Sequence, residues 1–187
     1  MKTIICFTGM PGSGKSIAAE ALKKKGYIVL SIGDAVRNEM RRQGIPINIK
    51  TLDTFSVEAR QNLGKDYAIR LLESEIDEAL KTKDTLFVDG IRTMGEIDRL
   101  KSRGYKVVAL ALISDKKTRF ERLMKRQRES DPKDLEDFLW REKKQLEMGI
   151  AEVIATTDYF LENGNSVSKF QNSLLKKVKF IINSEKS

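Results

Sequence analysis

An eight-residue loop near the start of the chain has the composition of a phosphate-binding turn. Residues 9–16 read GMPGSGKS and follow the apolar run of residues 3–8. They match the spacing G-x-x-x-x-G-K-[ST] between a strand and a helix. Glycines let backbone N–H groups point into one concavity that binds phosphate oxygens, while Lys15 can reach the β- and γ-phosphates and the Ser16 hydroxyl can bind Mg²⁺. The residues predicted to bind a nucleoside triphosphate are Gly9, Pro11, Gly12, Ser13, Gly14, Lys15 and Ser16.

A carboxylate ends another apolar run and supplies a second candidate group. Residues 85–89 read TLFVD, so Asp89 would lie at the carboxyl end of a strand. In a parallel sheet this end borders the ligand crevice, close to the glycine-rich loop. We therefore predict that ATP and Mg are cofactors and that Ser16 and Asp89 hold the metal. The alternative is that Asp89 caps a helix beginning near Thr93.

The elements that would position these groups alternate between strands and helices. The first four apolar runs are nearly continuous, which is typical of parallel strands covered on both faces. The strands are predicted at residues 3–8, 27–32, 85–89, 105–113 and 158–163. The helices are predicted at residues 14–25, 33–43, 55–81 with a break near Gly64, 94–103, 115–128, 133–155 with Asp131-Pro132 at its start, and 166–183. This alternation favours a three-layer α/β/α domain.

Composition narrows the chemistry that is available. The 187 residues, 40% of them hydrophobic, suit one compact domain, and the chain has no histidine. Imidazole bases and histidine-bound zinc are therefore excluded. The single cysteine, Cys6, lies in an apolar run, which favours a cytoplasmic protein. The net charge is +8, and basic and acidic residues are interspersed along the chain. We therefore expect phosphorylated small molecules as partners rather than nucleic acid. No apolar run reaches the length of a membrane span, and we expect no membrane partner.

Three further stretches show a resemblance to a known family. IGDAVR at 32–37 resembles the Gly-Asp-x-x-Arg segment of nucleoside monophosphate kinases. DGIR at 89–92 is similar to their Asp-Gly-Phe-Pro-Arg, although it lacks the proline and one position. Residues 121–142 resemble the lid and its flanking arginines. The sequence thus resembles the P-loop nucleotide kinases, which include adenylate kinase and dephospho-coenzyme A kinase. Its closest likeness is to archaeal adenylate-kinase-related proteins.

This resemblance implies an architecture and a set of roles. The fold would be that of a P-loop NTPase with a five-stranded parallel sheet. Residues 1–187 would form one domain, with an acceptor-binding helical insertion at 34–80 and a short lid at 122–141. Arg37 and Arg92 would hold the acceptor's phosphate. On the donor side, the implied contacts are Arg122 and Asn163 at the adenine, Arg126 at the phosphates and Arg141 at the transferring phosphoryl group.

The acceptor is left open between two kinds of group. A nucleoside monophosphate, of which AMP is favoured, needs no general base. A ribose hydroxyl, as in dephospho-coenzyme A, would use Asp34 to orient or deprotonate it. The long stretch 44–70 favours the monophosphate, with Arg60 and Arg70 as added contacts or as surface residues. A third alternative is a nucleotide-binding regulator or a slow ATPase.

The basic cluster around the lid also has two interpretations. Arg119, Arg122 and Arg126 share a helix face, and Arg128 follows two residues later. Guanidinium groups suit phosphates geometrically and stay protonated. The alternative is a solvated basic face with no ligand. The sequence leaves the oligomeric state undetermined.

Overall fold

A computed structural model describes residues 1–164 and 166–185 of the chain. Its strands are β1 (Thr3–Thr8), β2 (Val29–Ser31), β3 (Thr85–Asp89), β4 (Lys106–Ile113) and β5 (Tyr159–Glu162). Its helices are α1 (Lys15–Lys23), α2 (Ile32–Arg42), α3 (Ile49–Leu63), α4 (Tyr67–Arg70), α5 (Glu73–Thr82), α6 (Met94–Ser102), α7 (Lys116–Arg126), α8 (Leu135–Met148), α9 (Ile150–Ala155) and α10 (Val167–Ser184). None of the helices in the described residues is long and apolar enough to cross a membrane.

The five strands form one parallel sheet in the order β2-β3-β1-β4-β5. β1 lies in the centre, where it pairs with β3 on one side and β4 on the other. Successive side chains of a strand point to opposite faces. Ile5 and Phe7 therefore join the core beneath α1 and α10, whereas Ile4 and Cys6 join the core on the other face, with α2 to α6 and α9. The predicted three-layer fold with a five-stranded parallel sheet is confirmed.

The helices differ from the sequence-based boundaries at three places. The predicted helix 55–81 is three helices and begins earlier, at Ile49, behind a capping box made by Asn48 and Thr51. Gly64 ends its first part with φ 104°. The predicted helix 133–155 is divided at Gly149, which has φ 108°. Because both glycines adopt a backbone region that L-residues avoid, they end helices whose apolar pattern continues.

The predicted start of the lid helix at Asp131-Pro132 is wrong. α8 is capped by Asp134, whose side chain accepts a hydrogen bond from the Asp137 N–H. Asp131 is buried, and its carboxylate binds the Arg126 guanidinium and the Arg128 N–H instead. A charged partner in the tertiary structure thus recruits the residue that local sequence would assign to the cap.

Candidate active site

The glycine-rich loop lies between β1 and α1, at the carboxyl edge of the sheet. Three side chains from distant segments hold its successive carbonyls. Arg119 Nη1 donates to Pro11 O at 3.3 Å, Arg122 Nη1 to Gly12 O at 3.4 Å, and Asn163 Nδ2 to Ser13 O at 2.9 Å. In a trans peptide the following N–H points the opposite way. The N–H groups of residues 12 and 14 therefore face away from this scaffold, toward the space where phosphates would bind.

Two of the loop glycines are required by close packing. A Cβ on Gly12 would lie 2.6 Å from the backbone oxygen of Arg119, and one on Gly14 would lie 2.1 Å from Asn163 Nδ2. Both residues also have positive φ, at 83° and 105°. The loop thus touches α7 and the end of β5 directly, and a side chain at either position would displace it from its scaffold.

Lys15 lies folded over its own loop. Its Nζ donates to Gly9 O at 2.6 Å and to Met10 O at 3.3 Å. Burial lowers the pKa of Lys15 to about 7, and Asp89 opposes this shift. Nearby arginines lower it further, namely Arg92, Arg126 and Arg141. A lysine surrounded by cations and held by neutral carbonyls is suited to receive an anionic ligand.

Asp89 ends β3 beside Lys15 and has the properties of a metal ligand. Its Oδ1 is buried and accepts no hydrogen bond from the described residues. Burial raises the pKa of Asp89, while Lys15 and Arg92 lower it. An orphaned carboxylate oxygen together with the Ser16 hydroxyl fits Mg²⁺, which takes few protein ligands and completes its shell with water and phosphate oxygens. The described residues contain no cluster of three or more metal-binding side chains.

The residues predicted to bind the acceptor lie where β2 and β3 end. Arg37, on α2, lies against Gly33, and its Nη2 donates to Asp34 Oδ1. A Cβ built on Gly90 would lie 3.1 Å from Arg92 Nη1 and 3.9 Å from Gly33 N. Two guanidinium groups therefore flank adjacent stretches of glycine backbone. Partial burial raises the pKa of Asp34, but the hydrogen bond and charge of Arg37 outweigh it and leave the pKa below its ordinary value.

Arg92 is held by partners that the sequence did not indicate. Its Nε donates to Gln145 Oε1 at 2.8 Å and its Nη1 to Gly90 O at 2.6 Å. Its backbone N–H donates to Glu96 Oε2 at 2.7 Å. Burial lowers the pKa of Arg92 to about 10. The arginine is thus oriented before any ligand arrives.

The lid arginines meet on a single carboxylate. Asp131 Oδ2 accepts from Arg126 Nε at 2.8 Å, and Asp131 Oδ1 lies 3.7 Å from Arg141 Nη1. Arg141 also donates to Ser130 O at 2.6 Å and lies 3.7 Å from Asp53. Both arginines act on Lys15, so the structure brings these predicted residues to the same end of the sheet.

The remaining predicted residues lie under the loop or away from the site. Arg122 donates to Ser114 Oγ and Asn163 O, and the Asn163 side chain is buried beneath the loop, where all its observed partners are protein groups. Its predicted contact with adenine stays a prediction. Arg60 is not a surface residue: it is buried and pairs with Glu96 at 2.7 Å. Arg70 donates to Leu63 O.

Some residues that shape the site escaped sequence reasoning. They are Asp53, Glu96, Gln145 and Glu142. The Glu142 carboxylate accepts two hydrogen bonds from the Arg119 guanidinium, at 2.6 and 2.9 Å. Of these residues, only Glu96 could have been identified from the sequence, because the spacing Thr93-x-x-Glu96 is typical of the capping box that the structure contains. Because Arg119 is 6% exposed and pairs with Glu142, it does not lie on a solvated basic face.

Comparison with known proteins shows the family to which the chain belongs. A family model described as an AAA domain matches residues 8–138. A UPF0200 protein of Pyrococcus abyssi is 40% identical over 173 residues, which cover 91% of this chain and 92% of that protein. A UPF0200 protein of Methanococcus maripaludis (strain C6) is 36% identical over 180 residues, which cover 96% and 98%.

Solved structures share the fold at low sequence identity. TT1252 from Thermus thermophilus has a TM-score of 0.60 and 21% identity, over 98% of this chain and 97% of that one. A shikimate kinase from Acinetobacter baumannii, in complex with shikimate, has a TM-score of 0.59 and 13% identity, over 98% and 95%. At these identities the likeness shows the fold alone, which is that of P-loop kinases.

Proposed function

Because the chain belongs to the P-loop nucleotide kinase family that includes the archaeal UPF0200 proteins, we propose that it is an ATP-dependent phosphotransferase acting on a nucleoside monophosphate. We favour AMP as the acceptor, in which case both products would be ADP. The observation that carries this proposal is the pair of guanidinium groups, Arg37 and Arg92, which lie beside glycine backbone and both lower the pKa of Asp89.

On the donor side, the loop and Lys15 would hold the triphosphate. Ser16 and Asp89 would hold Mg²⁺, which neutralises charge on the phosphates when bound. Arg126 and Arg141 would stabilise the charge that develops on the transferring phosphoryl group, and Arg122 would lie against the adenine. Binding of the triphosphate requires Lys15 to leave Gly9 O and Met10 O.

On the acceptor side, Arg37 and Arg92 would bind a phosphate that is already anionic. No general base is then needed, and the partnership of Asp34 with Arg37 supports a positioning role for that carboxylate. A groove of about 370 Å³ opens beside Asp34 and includes Asn38, Leu71 and Leu72. Its lining also contains charged side chains, among them Lys23 and Glu39, and this mixture of apolar and polar groups could hold the nucleoside part of such an acceptor.

We also propose how the chain is divided between these tasks. Residues 34–80 would serve as the acceptor-binding insertion and residues 122–141 as the lid. In support, α2 to α5 all lie between β2 and β3, and residues 127–134 separate α7 from α8. Contacts of Asp53 with Arg141 and Gln145 join α3 to α8, so the two segments meet beside the site.

The test is phosphoryl transfer from ATP to a panel of acceptors, with products identified by mass and by phosphate position. We expect ADP from AMP, with other monophosphates slower. A product carrying its new phosphate on a ribose hydroxyl would favour the dephospho-coenzyme A type of reaction. Turnover of ATP that no acceptor changes would favour a slow ATPase or regulator.

Asp34→Asn separates the two acceptor classes within one protein. With a phosphate acceptor we expect less than a tenfold loss of kcat, because no proton must be removed. With a hydroxyl acceptor the loss should reach about 10²-fold or more. Asp98→Asn, an exposed site on α6, is the matched control for the change in net charge.

A further inference from the structure

Arg128, in the segment between α7 and α8, reaches the P-loop. Its Nη1 lies 3.4 Å from Ser16 Oγ, a residue 112 positions earlier. Ser16 is in the first turn of α1, where the hydroxyl of a P-loop serine faces the phosphates and their metal. A guanidinium group therefore lies beside the hydroxyl at which an anionic ligand and its cation would bind.

The backbone around Arg128 is arranged to direct it there. α7 ends at Arg126, and Gln127 then adopts φ 51°, the one non-glycine residue with positive φ among residues 1–164 and 166–185. Such a conformation is strained for a residue with a side chain and persists only where surrounding contacts impose it. The contact is Asp131, which is 3% exposed and whose Oδ2 accepts from the Arg128 N–H at 2.9 Å. The turn is thus fixed by a buried carboxylate.

The charges around Arg128 come from both halves of the site. Arg126 and Asp131 lie on the lid, whereas Arg37 and Asp34 lie on the acceptor side, and all four act on this guanidinium. Burial lowers the pKa of Arg128, and Arg126 lowers it further. Three arginines share this space with two carboxylates, each already paired with an arginine. The surplus positive charge favours an anion located between donor and acceptor.

We propose that Arg128 is a catalytic residue that leaves Ser16 on nucleotide binding and donates hydrogen bonds to the oxygens of the transferring phosphoryl group. This inference rests on the function proposed above. In that reaction an acceptor phosphate oxygen forms the new bond to the γ-phosphorus. The bond to the β–γ bridging oxygen breaks, and ADP leaves with that electron pair. Arg128 supplies charge and hydrogen bonds and exchanges no proton.

The first test compares Arg128→Ala, Arg128→Lys and Lys125→Ala. Lys125 is exposed on α7 and is the matched control for loss of one positive charge at the root of the lid. We expect Arg128→Ala to lower kcat about 10²-fold with less than a threefold change in the KM of the acceptor. Arg128→Lys should recover only part of this loss because lysine lacks the planar fork. Equal kcat in Arg128→Ala and Lys125→Ala would overturn the proposal.

A binding measurement keeps the test valid if no acceptor is ever phosphorylated, which would defeat the proposed function alone. Calorimetry with ATP and with ADP, each with Mg²⁺, measures whether Arg128 senses the γ-phosphate. We expect Arg128→Ala to weaken the binding of ATP about tenfold and the binding of ADP less than threefold. Losses that are equal for ATP and ADP, or no greater than those of Lys125→Ala, would contradict a contact with the transferring group.

Discussion

The proposed donor and acceptor halves of the candidate site are built in different ways. On the donor side, hydrogen bonds from Arg119, Arg122 and Asn163 hold successive carbonyls of one short loop, and the binding surface is backbone. On the acceptor side, the binding surface is guanidinium groups. Arg92 there depends on side chains of α6 and α8 for its orientation.

Because of this difference, we expect substitutions in the two halves to change different properties of the protein. The donor loop takes its predicted binding groups from the backbone of eight successive residues, although the side chains that hold it come from 108 to 150 residues away. The acceptor side depends on buried pairs joined across 36 to 92 residues of sequence, such as Arg60 with Glu96 and Asp53 with Gln145. Changes on the donor side should therefore reduce phosphoryl transfer, whereas changes to the acceptor scaffold should first reduce folding stability.

Lys15→Ala should have the largest effect. We expect phosphoryl transfer to fall about 10³-fold, because the ammonium group that reaches the β- and γ-phosphates is lost. The free energy of unfolding should not fall, because a partly buried cation has been removed. Lys24→Ala, an exposed residue at the end of α1, controls for charge. Activity close to that control would contradict the assigned donor site.

Glu96→Gln should break the acceptor scaffold. The substitution keeps an oxygen for the capping box but leaves the buried Arg60 guanidinium without its counter-charge. We expect a loss of about 3 kcal/mol in urea unfolding. Glu78→Gln removes a solvent-exposed pair with Lys81 and should cost less than about 1 kcal/mol. Similar values for the two variants would show that the buried pair does not carry the scaffold.

A smaller effect should appear as proton uptake when ATP binds. With a pKa of about 7, Lys15 is mostly neutral at pH 8, and phosphate oxygens should restore its charge. Calorimetry in buffers of different ionisation enthalpy should show about 0.9 proton taken up at pH 8 and little at pH 6. Without nucleotide, the unfolded chain binds more protons at Lys15 between pH 7 and 10.5. The contribution of Lys15 to the free energy of unfolding should therefore rise with pH across that range. Absence of uptake at pH 8 would show that Lys15 is already charged.

Much of this architecture was predictable because its determinants are short-range. Apolar runs located five strands, and the glycine-lysine spacing located the donor loop. The partners of charged side chains were not predictable, whether the partner lies 5 residues away or 36. Asp131 looked like a helix cap and proved to be a buried partner of Arg126. Arg60 looked like a surface or ligand-binding residue and proved to be half of a buried pair.

The sequence by itself determined the order of strands and helices and the identity of the phosphate-binding loop, because periodicity and glycine spacing act within one element. The tertiary structure alone decided which arginines face the cleft and which are held by carboxylates. A guanidinium group can pair with any acid that folding brings within reach, and no local pattern states which acid that will be.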